Sequence, residues 1–179
     1  MANAKKWSNV AVAMQSVLAS AITVTAITKA AEGVVTATNT LANGDYVVLS
    51  VQGMRQVDDR VFRVKAVSGT GFTLDGEDTT AFDTFVSGTA QKVTFGTSIT
   101  TATSLSASGG EFDFIDTTTI HQSARSQIPG LPSAATFSFD NIWDVSDAGL
   151  KAMKVASDAQ AKRSFMFTFG TGGQVMVFN

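Results

Sequence analysis

The chain has 179 residues, enough for one domain of ordinary size or two small ones. It contains no cysteine and a single histidine, His121, which excludes disulfides, thiolate nucleophiles, cysteine-ligated zinc, iron–sulfur clusters and any multi-histidine metal site. Thirteen basic against 15 acidic residues give a net charge of −2, so no electrostatic footprint points to nucleic acid, a membrane surface or an acidic partner.

Charge is sparse rather than biased. Charged residues make up 16% of the chain, against about 25% in a typical soluble domain, and 44% is hydrophobic, which favours a surface that meets other copies. The 23 threonines and 19 valines suit a pleated, half-buried surface, and the two prolines, Pro129 and Pro132, fall in one stretch. The composition predicts a mainly β protein with one helix.

In chain order, the first question is the apolar run over residues 10–26, which follows two lysines and resembles a secretory signal with cleavage near Ala21. Ser8, Asn9, Gln15, Ser16 and Ser20 interrupt it, and the same interruptions exclude a membrane span. Near-alternation of Thr23, Thr25 and Thr28 with Val24, Ala26 and Ile27 predicts one long first strand over residues 10–27.

From 33 to 94 the texture changes to short strands between turn residues. Asn43-Gly44-Asp45 precedes a strand at 46–51; a second runs over 60–67, with Val61, Arg63, Lys65 and Val67 alternating against Phe62, Val64 and Ala66. Phe72, Thr73 and Leu74 follow Gly69-Thr70-Gly71, then the polar turn Asp75-Gly76-Glu77-Asp78, then a strand near 90–95. This spacing describes a small barrel-like or sandwich β-module of about 60 residues.

The remainder is organised differently. A Ser/Thr-rich strand at 97–106 and the alternating segment 111–115, joined by Gly109-Gly110, predict a hairpin. A long polar loop is expected over 116–135, then a strand at 136–139. A helix begins after Asp144 or Ser146 as cap, with Asp147 in its first turn, and Leu150, Met153, Val155, Ala156 and Ala159 as its apolar side. Lys154 and Asp158 form an i,i+4 pair, and segments 164–169 and 174–178 around Gly170-Thr171-Gly172-Gly173 form a second hairpin.

Candidate chemistry is thin. A Ser-His-Asp set requires His121, but no G-x-S-x-G elbow is present and the histidine follows a threonine run. Asp75, Glu77 and Asp78 lack the alternate spacing and distal glutamate of a calcium loop, and 170–173 lacks the Gly-Lys-Ser/Thr ending of a phosphate cradle. The reading is therefore non-enzymatic, with no catalytic, metal or cofactor residues.

One resemblance runs through the chain. Gly109-Gly110-Glu111-Phe112-Asp113-Phe114-Ile115-Asp116-Thr117-Thr118, then Ile128-Pro129-Gly130-Leu131, then Asp147-Ala148-Gly149-Leu150 resemble the major tail tube proteins of long, non-contractile (siphophage-type) phage tails. Asn43-Gly44-Asp45-Tyr46-Val47-Val48, Gly53-Met54, Val61-Phe62-Arg63-Val64 and Phe72-Thr73-Leu74 resemble small β-modules embedded in phage structural proteins, including one likened to a half-domain of ubiquitin-activating enzymes. With no cysteine, that likeness implies no ubiquitin chemistry.

The resemblance implies a tail-tube-type β-sandwich or barrel core made of residues 1–32 and 95–179, with residues 33–94 as an inserted small β-domain. It implies a structural virion protein that self-assembles into stacked hexameric rings forming the conduit for DNA ejection, located in the phage tail and in the host cytoplasm during assembly. Its implied partners are copies of itself, the tape measure, the tail terminator and distal tail components. DNA passes without tight binding, and no membrane is involved. In such subunits more chain follows the second hairpin and completes the sheet.

By the same resemblance Thr117, Thr118, Thr119, His121, Arg125, Ile128, Pro129, Gly130 and Leu131 belong to an inter-subunit loop. Thr101, Thr103, Glu111 and Asp113 are lumen-facing candidates, because a conduit for DNA should be hydroxyl-rich or weakly acidic. The alternative reading is a secreted or surface β-sandwich binding protein of adhesin type, which the Thr/Val content also fits.

Overall fold

The computed structural model describes residues 10–133, 136–170 and 175–178. Four short strands open the chain, β1 (Val10–Met14), β2 (Val17–Leu18), β3 (Ile22–Val24) and β4 (Ala26–Ile27), where the alternation predicts a single long one. The break after β1 is made by Ser16. Its amide and its hydroxyl both donate to the Thr94 carbonyl, at 2.8 and 3.1 Å, and its Oγ accepts from the Gly96 amide at 3.0 Å. The chain thereby leaves one sheet and enters another.

The next segment comprises β5 (Val34–Thr36), β6 (Tyr46–Gln52), a 3-10 turn (Arg55–Val57), β7 (Val61–Ser68), β8 (Gly71–Leu74) and β9 (Ser87–Thr94). These join β2–β4 in a sheet of order β2-β9-β6-β7-β8-β5-β4, with β3 also paired to β9. Since β3 pairs with β9 and β4 pairs with β5, the corner at Thr25 closes the sheet into a barrel, which removes its open edges. Val35, Val47, Leu49, Met54, Val57, Val64, Phe72 and Leu74 form its core with Ile27, Phe62 and Ala90.

Two local features shape the barrel. Ala66 has φ of 47° and the β7–β8 register shifts between Lys65 and Ser68, a bulge. Past such a bulge the side chains change faces, so Ala66 is exposed and Val67 packs on the core, the reverse of the alternation read from the sequence. Gly53 has φ of 90°, and a Cβ there would lie 2.2 Å from the Thr84 carbonyl oxygen, so the turn between β6 and the 3-10 segment needs glycine.

The rest of the chain contains β10 (Thr97–Ile99), β11 (Ala102–Ser108), β12 (Phe112–Asp116), β13 (Gln127–Pro132), β14 (Thr136–Asn141), α1 (Ala148–Asp158), β15 (Phe165–Phe169) and β16 (Val175–Phe178). A four-stranded antiparallel sheet has the order β10-β1-β15-β16. One face, carrying Val12, Met14, Ile99 and Phe167, is buried, and α1 packs on β10 and β1. The fit is close at Gly149, where a Cβ would lie 2.6 Å from the Ser98 carbonyl oxygen and 3.0 Å from Ile99 Cγ1.

Asp147 is the helix cap itself rather than a first-turn residue. Its Oδ1 accepts from the Leu150 amide at 2.7 Å and its Oδ2 from the Thr100 hydroxyl at 2.8 Å, which with the Leu150 amide as the larger cause hold the carboxyl below the usual range. Lys154 and Asp158 pair at 2.7 Å as the spacing predicts. Val155, read as part of the apolar side, is exposed, because Gly149 and Ala156, seven positions apart, define the stripe that faces the sheet. No helix among the described residues is long and apolar enough to cross a membrane.

The chain divides into two compact units. One takes in the barrel, the four-stranded sheet and α1; the other is residues 101–143.

Candidate assembly surfaces

Residues 101–143 form two antiparallel ribbons, β11 with β14 and β12 with β13. Both pairings differ from the sequence expectation. Gly109 and Gly110, with φ of 93° and 80°, do not turn β11 back on β12; they pass the chain from one ribbon to the next. The loop expected over 116–135 instead contains β13, paired to β12 as Ile115 to Ile128 and Phe114 to Pro129. Pro129, Gly130 and Pro132 hide this strand in the sequence, yet a two-stranded ribbon leaves each strand one free edge, where a missing N–H costs nothing.

The threonines at the ribbon tip have a structural task. The Thr117 amide and hydroxyl both donate to the Ser126 carbonyl, at 2.9 and 3.1 Å, and the Ser126 amide donates to Thr118 Oγ1 at 3.0 Å. The Thr118 hydroxyl and amide hold the Asp116 carboxyl below the usual range. The Thr119 amide donates to Gln122 Oε1 at 3.0 Å, closing the turn that carries Ile120 and His121. His121 and Arg125 are exposed at this tip, and Ile128, Pro129, Gly130 and Leu131 lie along β13.

The other candidate set is divided. Thr101 and Thr103 belong with the β11–β14 ribbon, where their hydroxyls approach Asn141 Oδ1 at 3.3 Å and the Asp140 carbonyl at 3.1 Å. Glu111 and Asp113 lie on the β12–β13 ribbon and are exposed. Each ribbon thus contributes one hydroxyl pair or one carboxylate pair.

None of the described residues in 101–143 is buried. Large apolar side chains stand in water there: Phe112, Phe114, Ile115, Ile128 and Ile142, with Ile120 95%, Leu131 87% and Trp143 74% exposed. An isolated two-stranded hairpin is marginal in water, and an apolar surface of this kind marks a contact site. Reading by residue type missed Ile120, Ile142 and Trp143; the visible signal was a tryptophan beside an isoleucine between a strand and a helix cap.

On the barrel surface several charged groups are committed to one another. A shallow groove of about 660 Å³ is lined by Tyr46, Arg60, Phe62, Arg63, Asp75 and Glu77 together with residues of β15 and β16. Arg60 pairs with Glu77 at 2.7 Å and lies 4.8 Å from the Phe62 ring centre, and Arg63 pairs with Asp75 at 3.5 Å. Lys65 pairs with Glu32 at 2.5 Å and Asp75 at 3.0 Å, which holds Glu32 below the usual carboxylate range. Asp75 and Glu77, weighed above as cation ligands, are thus ion-paired within the barrel surface.

The family model described as phage tail tube protein, TTP, matches residues 52–178. Comparison with curated proteins gives no match. That matched span begins at the end of β6 and takes in both ribbons, α1 and the β15–β16 hairpin, so the mainly β chain with its exposed ribbons belongs to the phage tail tube protein family, a structural component of the virion tail.

Proposed function

We propose that this chain is the repeating subunit of a tail tube, self-assembling into hexameric rings that stack into the conduit through which DNA is ejected. The observation that carries this reading is a subunit with two kinds of unfinished surface. Among the described residues the four-stranded sheet ends in β10 on one side and β16 on the other, and the ribbons expose their apolar side chains. All three pairings in that sheet are antiparallel, so β16 runs antiparallel to β10. A head-to-tail neighbour therefore brings its β10 beside β16 in the antiparallel sense, and a cyclic arrangement closes the barrel without an edge.

In this reading Thr117, Thr118, Thr119, His121, Arg125, Ile128, Pro129, Gly130 and Leu131 form the inter-subunit arm, with Ile128, Pro129 and Leu131 as apolar anchors. Residues 33–94 are inserted between 1–32 and 95–179, the two parts of the core, and the barrel that they build together with β2–β4 decorates the outer surface. Thr101, Thr103, Glu111 and Asp113 face the lumen, where uncharged hydroxyls and carboxylates let DNA pass without capture. The subunit does no catalysis. Its partners are further copies, the tape measure, the terminator and distal tail components, and it waits in the host cytoplasm before joining the virion.

Negative-stain electron microscopy of the purified chain across a concentration and time series tests the reading. Rings or hollow tubes are the expected result; a chain that stays monomeric at every concentration counts against it.

A further inference from the structure

The turn before β6 carries Asn43, the one asparagine of the chain that is followed by glycine. The Asp45 amide closes this turn by donating to the Ala42 carbonyl at 3.1 Å, and Gly44 has φ of 92°, the left-handed value that a type II turn needs at its third position. A Cβ on Gly44 would approach Arg63 Nη2 to 3.5 Å, an ordinary contact, so the glycine answers to φ rather than to crowding. Asn43 itself is exposed.

The amide group and the side chain that meet at this peptide bond are both held by β7. The Gly44 amide donates to the Val64 carbonyl at 2.8 Å. Asn43 Oδ1 accepts from the Val67 amide at 2.8 Å, and Val67 lies in the bulge between the registered pairs Lys65 with Thr73 and Ser68 with Gly71. The side chain thus serves the stretch where the ladder is out of register. A further bond runs the other way, from the Val64 amide to the Asp45 carbonyl at 2.8 Å.

We propose that Asn43 is a self-modification site, closed by the fold and opened when the turn lifts from β7. The Gly44 nitrogen, having given its proton to hydroxide, attacks the Asn43 side-chain carbonyl carbon. The new N–C bond completes a succinimide ring, and the side-chain nitrogen departs as ammonia, taking its proton from water. Water then adds to one of the two ring carbonyls and that ring C–N bond breaks, which leaves aspartate from one opening and isoaspartate from the other. The net change is uptake of water and loss of ammonia, with nothing oxidised or reduced.

Attack needs the Gly44 nitrogen free and the Asn43 carbonyl carbon turned toward it. Both groups are engaged with β7, so one opening event releases them together. Glycine after Asn43 leaves the nitrogen unshielded, whereas Asn9, Asn39 and Asn141 precede the β-branched Val10, Thr40 and Ile142. Aspartate at 43 restores an acceptor for the Val67 amide. Isoaspartate adds a methylene to the main chain, so the paired bonds of Gly44 and Asp45 to Val64 cannot both reform, and the corner stays open.

The test follows the full chain in mildly alkaline buffer, folded and in guanidinium chloride, and does not depend on whether tubes form. Peptide mass spectrometry reads the exchange of the amide nitrogen for oxygen, and enzymatic methylation reads isoaspartate. In the unfolded chain Asn43 is expected to convert before Asn39 and Asn141; conversion no faster than theirs overturns the site. Folding is expected to slow Asn43 at least about tenfold, by a factor that matches the hydrogen-exchange protection of the Gly44 amide to within about threefold. Equal rates in the folded and unfolded chain, or a factor unrelated to that protection, overturn the gate. In the isoaspartate product the Val67 amide should exchange at least about tenfold faster than in the parent, and unchanged exchange overturns the open corner.

Discussion

Gln15 and Ser164, 149 positions apart, are locked by two hydrogen bonds. The Gln15 amide donates to the Ser164 carbonyl at 2.9 Å, and the Ser164 amide donates to Gln15 Oε1 at 3.1 Å. Both residues are buried. The pair continues the β1–β15 ladder past Met14 and Phe165, and ties the first strand to the C-terminal hairpin at the point where Ser16 sends the chain into the barrel. Replacing Gln15 by Met keeps the side-chain length but removes the Oε1 that accepts from the Ser164 amide. Chemical denaturation should show a loss of about 1–3 kcal/mol.

A second buried polar residue has a comparable role in the barrel. Thr79 is fully buried; its Oγ1 accepts from the Ala30 amide at 3.1 Å and its hydroxyl donates to the Thr28 carbonyl at 2.7 Å. Thr79→Val keeps the shape and removes both bonds, so it should destabilise by about 1–3 kcal/mol, while Thr79→Ser costs less than Val does. Thermal melts of the two variants side by side check the order.

Strands whose apolar residues alternate were legible in the sequence. The segments around β6, β7, β8 and β16 were each located to within a few residues, and Phe165, Phe167 and Phe169 marked β15 directly. Pairing was not. β11 consists of Ala, Thr, Ser and one Leu, so no apolar code says that its partner is β14, 28 residues further on from Ser108 to Thr136, rather than the adjacent β12. β13 was masked by Pro129, Gly130 and Pro132, residues that signal turns in most contexts. The threonines at 117–119 drew attention as an assembly loop, and the structure gives their hydroxyls and amides bonds inside the ribbon tip. What no periodicity could display was exposure itself. Phe112 and Phe114 alternate with Glu111, Asp113 and Ile115 in the sequence, and only the tertiary structure shows that they are uncovered.

Acid should weaken the fold through a defined set of carboxylates. Asp147 is held low by the Leu150 amide and the Thr100 hydroxyl, Glu32 by the Lys65 ammonium and the Gly76 amide, and Asp144 by the Ser146 hydroxyl and amide. A carboxyl whose folded value lies below its unfolded value contributes stability that is complete above the unfolded value and lost as pH falls through the folded one. Stability should therefore be level above about pH 5 and decline below about pH 4. In Asp147→Asn, denaturation curves across this range should show a shallower decline; an unchanged slope would remove Asp147 from the set.

Assembly and folding should separate at the exposed apolar residues. Leu131 and Trp143 contribute nothing to either buried core, so Leu131→Ser and Trp143→Ser should leave subunit stability within about 0.5 kcal/mol of wild type. The same changes should raise the concentration at which rings or tubes appear, as read by light scattering and microscopy. With the other tryptophan replaced, as Trp7→Phe, Trp143 also gives an internal signal: its emission should shift to shorter wavelength on assembly if it leaves water, and stay unshifted if this part of the surface remains free.

The lumen assignment makes the sharpest electrostatic prediction. Thr103 is exposed and, among the described residues, its hydroxyl donates to the Asp140 carbonyl alone, so Thr103→Lys should fold as the parent does. If Thr103 lines the conduit, each ring then presents a set of ammonium groups to the DNA path. Every phosphate that a lysine neutralises releases counterion and adds a dependence of affinity on salt with a slope of about −0.9 in log–log form. Wild-type tubes should retain no duplex DNA at physiological salt. Thr103→Lys tubes should retain it at low salt and release it as salt rises, and the retained DNA should resist a nuclease too large to enter the bore. Salt-sensitive binding that the nuclease removes would put Thr103 on the outer surface, and Glu111 and Asp113 would then need the same substitution, one at a time, to find the wall.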